Sequence, residues 1–174
     1  MTPFSYAGWY GQVEIARLLL ARDDVEADSK NEEGRTPLSF AAWYGKLQFK
    51  AAKNGCVPLL STEDIDVNLQ DKYGDSPLHY AVRYGHQNVA SLLLLHCNIA
   101  PNLKNVKGQT PLHCAVLGVD GEYDVNYNSA SSREATVSLL LARNDVRVGL
   151  EDDNGLTTLM LACSLEIASV VKLF

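Results

Sequence analysis

The sequence predicts an all-α fold in which helix–turn–helix units stack on one another. The first observation is the stretch 74–95, where a turn, a short helix, a second turn and a second helix follow in order. The second is the run of leucines from Leu92 to Leu95, which makes the second helix apolar around most of its circumference. One pair of helices cannot bury such a surface alone. The stretch therefore predicts that further copies of it lie alongside.

The first helix of this stretch has clear start and stop signals. Ser76 is a preferred N-cap residue, and Pro77 occupies the first helical position, where its missing N–H costs nothing. Gly85 can end the helix in a left-handed conformation that residues with a Cβ resist. These signals predict a short, capped helix between Ser76 and Gly85.

The same turn, Gly-x-Thr/Ser-Pro-Leu, recurs along the chain. Its Thr or Ser stands at positions 36, 76 and 110, with a clipped copy at Thr2 and a weakened one at Thr157, so that successive copies begin 34, 40, 34 and 47 residues apart. This period and the Thr-Pro-Leu-His-x-Ala pattern resemble the ankyrin repeat family over essentially the whole chain, with the best match at residues 76–102. The resemblance implies an ankyrin-repeat solenoid with short hairpin-like turns, forming one array over residues 1–174.

The motif positions divide the chain into repeats at approximately 1–31, 32–71, 72–105, 106–152 and 153–174. The first repeat is expected to form helices over Pro3–Tyr10 and Val13–Ala21, the second of them packing Ile15, Leu18, Leu19 and Leu20. The exits of the first four repeats share residue types that tolerate a left-handed backbone or bond to it locally. We interpret them as a turn requirement; they are Asp28, Asn68, Asn102 and Gly149.

The second and fourth repeats depart from the pattern. Pro58 falls where the second helix of the second repeat should lie, and a proline inside a helix costs about 3 kcal/mol. We interpret this region as two fused ancestral repeats, with a short helix at about Gln48–Lys53. The fourth repeat carries an insertion at residues 119–133 that we predict to be a surface loop. It represents either tolerated loop growth or a partner contact through Tyr123 and Tyr127.

Composition limits the classes of function. The chain has 174 residues, a hydrophobic content of 47% and a formal net charge of −6, with acidic and basic residues interspersed. This charge balance argues against nucleic acid or an anionic membrane as a partner. The longest leucine run has four residues, and no signal peptide is evident. The four cysteines form no disulfide framework, so we expect reduced thiols in an intracellular protein, cytoplasmic or nuclear.

No residue grouping indicates catalysis. His79 and His113 occupy the same position in successive repeats, where the resemblance implies hydrogen bonds to a neighbouring turn. The pairs His96-Cys97 and His113-Cys114 lack the ligand spacing of a zinc site. Phosphate-binding loops, nucleophile elbows and His-Glu-x-x-His are also missing from the sequence. We therefore expect no enzyme activity, no catalytic or metal-binding residues and no cofactor.

The resemblance implies a concave binding face lined by the turn tips and the exposed ends of the first helices. By motif position, the helix ends are Trp9-Tyr10, Trp43-Tyr44, Arg83-Tyr84 and Leu117-Gly118. The turn tips contribute Glu33, Arg35, Tyr73, Asp75, Lys107 and Gln109. Trp, Tyr and Arg are enriched in interface hot spots. Two alternatives remain: the aromatic residues pack against neighbouring repeats, or they form an interaction stripe. Turn tips of mixed charge favour a protein partner over a polyanion.

The fifth repeat is truncated, with Thr158 and Glu166 in place of the usual Pro and Gly. Neither end has a polar capping repeat, so we expect both ends to expose apolar surface unless further ankyrin repeats or a parent domain cover them. The sequences at 22–25 and 143–146 are similar to long fungal ankyrin arrays, several of which follow a nucleotide-binding signalling domain. We predict a protein–protein interaction module or scaffold. The alternative is a truncated or decayed fragment of a larger multidomain signalling or sensor protein, without a binding role of its own.

Overall fold

The structure, a computed structural model, describes residues 1–22, 24–45, 65–119 and 130–174. In those residues the regular elements are helices, and the β-type contact is an isolated bridge between Glu151 and Thr157. The helices are α1 (Pro3–Tyr10), α2 (Val13–Leu20), α3 (Pro37–Trp43), α4 (Pro77–Arg83), α5 (Gln87–Leu94), α6 (Pro111–Leu117), α7 (Ala130–Leu141), α8 (Thr158–Ser164) and α9 (Ala168–Val171). No helix in these ranges is both long and apolar enough to cross a membrane.

The first helix of every repeat begins at the predicted Thr or Ser. These residues are the N-caps of α1, α3, α4, α6 and α8, and their backbones are extended, with ψ between 162° and 168°. The hydroxyls of Thr2 and Thr36 each accept a hydrogen bond of 3.2 Å from the backbone N–H three residues on. Such bonds satisfy N–H groups that the helix itself leaves unpaired. The predicted bounds of α1 are confirmed, and α2 ends one residue before the predicted Ala21.

The first helices pack in one row and the second helices in another. In the first row, α1 packs on α3, α3 on α4, α4 on α6 and α6 on α8; in the second, α5 packs on α7 and α7 on α9. The motif leucines Leu38, Leu78 and Leu112 lie between neighbours in the first row and are at most 1% exposed. Burying a leucine contributes about 1.5–3 kcal/mol. The motif leucine therefore joins each repeat to the next.

The turn tips also stack on one another. The Lys72 N–H donates to the Glu33 carbonyl at 2.9 Å, and the Val106 N–H donates to the Tyr73 carbonyl at 3.0 Å. Within each turn an Asn or Asp side-chain oxygen accepts two backbone N–H groups, a pattern typical of Asx turns. These residues are Asn31, Asp71, Asn105 and Asp152. The tips thus form a continuous hydrogen-bonded ladder on the scaffold of the first helices.

The motif histidines connect each N-cap to the next turn, which confirms the role that the resemblance implied. His79 Nδ1 accepts the Ser76 backbone N–H at 3.1 Å, and its Nε2 donates to the Gln109 carbonyl at 3.1 Å. His113 repeats the arrangement, with Nε2 donating to the Leu156 carbonyl at 3.1 Å. Burial lowers the pKa of His79 to about 4 and also lowers the pKa of His113. Both rings are therefore neutral at pH 7, as acceptance at Nδ1 requires.

The packing predicted for α2 is only partly correct. Leu19 and Leu20 are partly buried against the core, whereas Ile15 and Leu18 are 47% and 70% exposed. In the described part of the chain α2 packs on α1, and one neighbouring helix covers only one side of it. Leu95, the last residue of the leucine run, follows α5 and is also 80% exposed.

The inserted loop of the fourth repeat ends earlier than predicted. Helix α7 begins at Ala130, so residues 130–133 are helical. Serines, which favour turns, are also well suited to the first turn of a helix, and this explains the error. Residues 120–129, with Tyr123 and Tyr127, lie outside the described residues, as does the region 46–64 with the predicted helix Gln48–Lys53.

The exit residues of the repeats lie in turns, as interpreted from the sequence, and two of them also bond to the following repeat. Asn68 donates to the Asn98 carbonyl at 2.7 Å and accepts the Ala100 N–H at 2.8 Å, so it bonds to the following repeat. Asn102 makes the equivalent pair of contacts one repeat further on. Among the described residues, the non-glycine residue with positive φ is Glu166, not an exit residue. These exits thus lie in turns without a left-handed backbone, and the carboxamides of Asn68 and Asn102 also offer a donor and an acceptor to the neighbouring repeat.

Both ends of the array expose apolar side chains, as expected. In α1, Tyr6 and Tyr10 are 50% and 60% exposed, and in α8, Met160 is 52% exposed. The fifth repeat nevertheless keeps the repeat geometry. Glu166 has φ 55°, close to the 69° of Gly85, and thus takes the left-handed conformation that glycine has in the third repeat.

Candidate functional site

Most of the predicted binding residues line one groove of about 320 Å³, which we call the central groove. The turn tips contribute Arg35, Tyr73, Asp75, Lys107 and Gln109 to its lining, and the first helices contribute Trp43, Arg83, Tyr84 and Leu117. The ladder of stacked turns and the row of first helices hold these two sets of side chains against each other. The groove lies over the second, third and fourth repeats, in the middle of the described array.

The turn and the first helix of a repeat meet through residues eight positions apart. The Arg35 guanidinium carbon lies 4.4 Å from the centre of the Trp43 ring. One repeat later, Arg83 forms an ion pair with Asp75 at 2.5 Å. In both cases the first residue immediately precedes the N-cap and the second lies near the end of the helix. Sequence reasoning missed this pairing, although the constant spacing was a visible signal.

Aromatic rings form a continuous stack along this face. Trp9 and Tyr44 are 5.1 Å apart between ring centroids, and Trp43 lies 5.3 Å from Tyr80 and 5.9 Å from Tyr84. These separations are typical of favourable aromatic pairs. Tyr80 is 3% exposed, whereas the other four rings are partly exposed. The rings therefore pack against neighbouring repeats and also present an edge or face to solvent.

Arg35 is held in place by several partners. Its Nε donates to the Tyr80 hydroxyl at 3.0 Å, and its guanidinium forms ion pairs with Glu33 and, at 3.5 Å, with Asp71. The Tyr80 hydroxyl in turn donates to Asp71 at 2.6 Å. Because the guanidinium also lies over Trp43, the conformations of both groove side chains are constrained.

Arg83, the second arginine that lines the central groove, is also held in place by several partners. Its two terminal nitrogens donate to the two Asp75 oxygens at 2.5 and 3.0 Å, and one of them also contacts Cys114 Sγ at 3.0 Å. Asn105 donates to Asp75 at 3.0 Å. Burial by itself would raise the pKa of Asp75, but the hydrogen bonds and charge of Arg83 outweigh it and hold that pKa below its usual value. Asp75 is therefore ionised at pH 7 and is neutralised locally.

A buried cluster beneath the groove combines three residue types that can bind metal. Ligand atoms of Asp75, His79 and Cys114 lie within 4.8 Å of one another. Arg83 already contacts both the carboxylate and the thiol, and both nitrogens of His79 have hydrogen-bond partners. Burial raises the pKa of Cys114 to about 11, which disfavours the thiolate that a metal would need. These contacts identify the cluster as a structural network that ties two repeats together.

The other predicted binding residues lie beside the central groove. Trp9, Tyr10 and Tyr44 belong to the aromatic stack on its N-terminal side, with 6.0 Å between the ring centroids of Trp9 and Tyr10. Glu33 lies at the turn tip between two cations, where it pairs with Arg35 and, at 3.1 Å, with Lys72. The structure thus brings all the predicted positions onto one continuous face.

Residues 48–126 match a family model described as ankyrin repeats (3 copies). This range contains α4, α5 and α6, the turns that precede them and most of the lining of the central groove. No curated protein matches the chain.

Proposed function

We propose that the chain binds a protein partner through the face formed by its turn tips and first-helix ends, because residues 48–126 match ankyrin repeats and such repeats are generally protein–protein interaction modules. The contact centres on the central groove and extends along the aromatic stack toward Trp9. Ankyrin repeats are typically not catalytic, and we propose a scaffolding role for this chain. Free thiols at Cys97, Cys114 and Cys163 support an intracellular location.

One observation carries the proposal: aromatic side chains remain partly exposed in the middle of the array. Trp43 and Tyr84 have a repeat on either side, and neighbouring side chains already stack on their rings. Their exposure therefore does not result from a missing neighbour. Large aromatic groups at such a site can bury substantial area against a partner while keeping a polar atom available.

The groove side chains are also preorganised for binding. Arg35 is fixed by Tyr80, Glu33 and Asp71, and Arg83 is fixed by Asp75. Ordering a flexible side chain at an interface costs about 0.5–1.5 kcal/mol. Here the fold has already met that cost for both arginines, so more of the contact energy appears as affinity.

A decayed fragment without a binding role is less well supported. In the described residues, each first helix keeps its N-cap and extended cap geometry, including α8 of the truncated fifth repeat. The turn ladder also continues through Asp153, whose N–H donates to the Lys107 carbonyl at 3.1 Å. Decay would be expected to break such geometry at several repeats.

Selection of binders from a phage-displayed library of random peptides tests the proposed face. We expect Trp43→Ala and Tyr84→Ala to weaken binding of the selected peptides by more than about 2 kcal/mol each, the scale of a hot spot. Leu95→Ala is the matched control, since it removes an exposed apolar side chain at the end of α5, in the row of second helices. Peptides that bind the two groove variants as tightly as the unmodified chain would contradict the proposal. Circular dichroism confirms that each variant remains helical.

A further inference from the structure

We propose that the central groove binds a segment of the partner in which an Asp or Glu side chain lies next to a large apolar side chain. This inference rests on the proposed function and specifies the chemistry of the partner. It follows from three properties of the groove, namely its local charge, the position of Lys107 and its apolar walls.

The groove is more positive than the chain as a whole. Its lining contains three cations, Arg35, Arg83 and Lys107, and one anion, Asp75, whereas the chain has a net charge of −6. Glu33 and Asp71 lie on the turn side of Arg35 and neutralise much of its charge. Arg83 is likewise neutralised by Asp75. The remaining charge of the groove is therefore that of Lys107.

Lys107 differs from the other lysines of the turn ladder. Lys72 pairs with Glu33 at 3.1 Å, and Lys104 donates to the Glu151 carbonyl at 2.8 Å. Lys107 is exposed and has no carboxylate partner among the described residues. An unpaired ammonium in a groove attracts a carboxylate, and the low dielectric of a partly enclosed site strengthens that attraction. Lys107 is thus the group that we expect to select an acidic side chain.

Apolar residues line the same groove as Lys107. Val106 is 63% exposed and Tyr73 is 42% exposed at the turn tips, and Leu117 is partly buried in the groove wall. A volume of about 320 Å³ is at the lower end for ligand pockets, so it accommodates one large side chain and its immediate neighbour. Because Lys107 and these apolar residues line the same small groove, we expect the acidic and apolar groups of the partner to be adjacent.

The same features argue against a polyanion such as nucleic acid or an anionic membrane. Binding of a polyanion depends on several unneutralised cations that contact successive phosphates. Here Arg35, Arg83 and Lys72 each already have a carboxylate partner. One unpaired cation beside an apolar wall fits a single carboxylate on a peptide much better.

The composition and charge dependence of peptides selected on the unmodified chain test this inference. We expect the selected sequences to be enriched in Asp or Glu next to Phe, Trp, Leu or Ile. A synthetic copy of the most enriched peptide should lose at least tenfold in affinity when its acidic residue is changed to the amide. Lys107→Glu should weaken the acidic peptide at least tenfold, and a peptide with Lys in place of the acidic residue should recover binding to that variant.

Lys172→Glu serves as the matched control, because it makes the same charge change at an exposed position outside the groove. We expect it to leave peptide affinity unchanged. Binding that is lost in Trp43→Ala but unaffected by Lys107→Glu would overturn the charge inference and leave the proposed function intact. Selected peptides that are insensitive to both changes, or a selection that yields no binder, would count against the inference and the proposed function together.

Discussion

The third and fifth repeats carry the same motif in different surroundings. Leu78 and His79 of the third repeat are completely buried, whereas their counterparts in the fifth, Leu159 and Met160, are 39% and 52% exposed. The positions are equivalent, and both helices begin at an N-cap with extended backbone. The difference arises because another first helix, α6, covers α4 on that side, while no described helix covers α8 there.

This comparison separates two kinds of exposed apolar surface. Exposure of Leu159 and Met160 marks positions that are buried wherever a further repeat follows. Exposure of Trp43 and Tyr84 persists although repeats flank them on both sides. The first kind is a stacking surface, whereas the second belongs to the face through which we propose that a partner binds. The central groove therefore belongs to the second kind.

The largest expected effect is a difference in stability between two leucine substitutions. Leu78→Ala should lower the free energy of unfolding by about 2–5 kcal/mol, because it leaves a cavity between α4 and α6. Leu159→Ala should lower it by less than about 1 kcal/mol, since this side chain already contacts water. Urea unfolding followed by circular dichroism measures both values. Equal losses would show that the fifth repeat is covered in solution.

Acidification should destabilise the interior repeats through their histidines. Burial lowers the pKa of His79 to about 4, below the ordinary value of 6.5. The unfolded chain therefore binds more protons in this range, and stability that is fully present above pH 6.5 is lost as the pH falls toward 4. We expect a loss of more than about 1 kcal/mol in that window.

The variant His79→Gln provides the control for this pH dependence. It should be less stable at pH 7, because it loses a buried ring with two hydrogen bonds, and its stability should depend less on pH between 6.5 and 4. An unchanged pH dependence would show that His79 is not the group responsible. The fifth repeat has Met160 at this position, a side chain that does not titrate, so it adds nothing to the pH dependence of stability.

A smaller difference is expected between two turn glycines with similar backbone. Gly108 and Gly155 have φ of 68° and 74°, so alanine at either position costs about 1–2 kcal/mol of backbone strain. A Cβ at Gly108 would also lie 2.7 Å from the Asp153 nitrogen, whereas a Cβ at Gly155 meets no atom within 4 Å. Gly108→Ala should therefore be the more destabilising by about 1 kcal/mol or more, as measured by urea unfolding. Equal effects would indicate that the turns do not stack closely.

Much of the fold could be predicted because its determinants are local. The N-caps, the proline after the cap and the helix-ending glycines act within one turn of helix, so single positions such as Ser76 and Gly85 indicate them. The role of His79 could also be predicted, since its repetition at His113 indicated architecture rather than chemistry. Local rules and repetition were sufficient for these features.

The features that sequence reasoning missed depend on contacts between repeats. Asn68 bonds to the backbone of the following repeat, and no local rule reveals that partner. The contact of Arg83 with Cys114 joins residues 31 positions apart. The groove residues could be placed by motif position, whereas the neutralisation of Arg35 and Arg83 that leaves Lys107 unpaired depends on side-chain geometry. Which of these charged groups are paired could therefore be seen only in the folded array.

Backbone amide chemical shifts of the ¹⁵N-labelled chain, recorded with and without a selected peptide, locate the binding surface residue by residue. We expect the largest changes at the turn tips around Tyr73 and Lys107 and at the end of α4 near Tyr84. We expect little change in α8, although Leu159 and Met160 expose apolar surface there. Shift changes concentrated on α8, or on Leu18 of α2, would show that peptides bind the uncovered stacking surface and would contradict a binding role for the central groove.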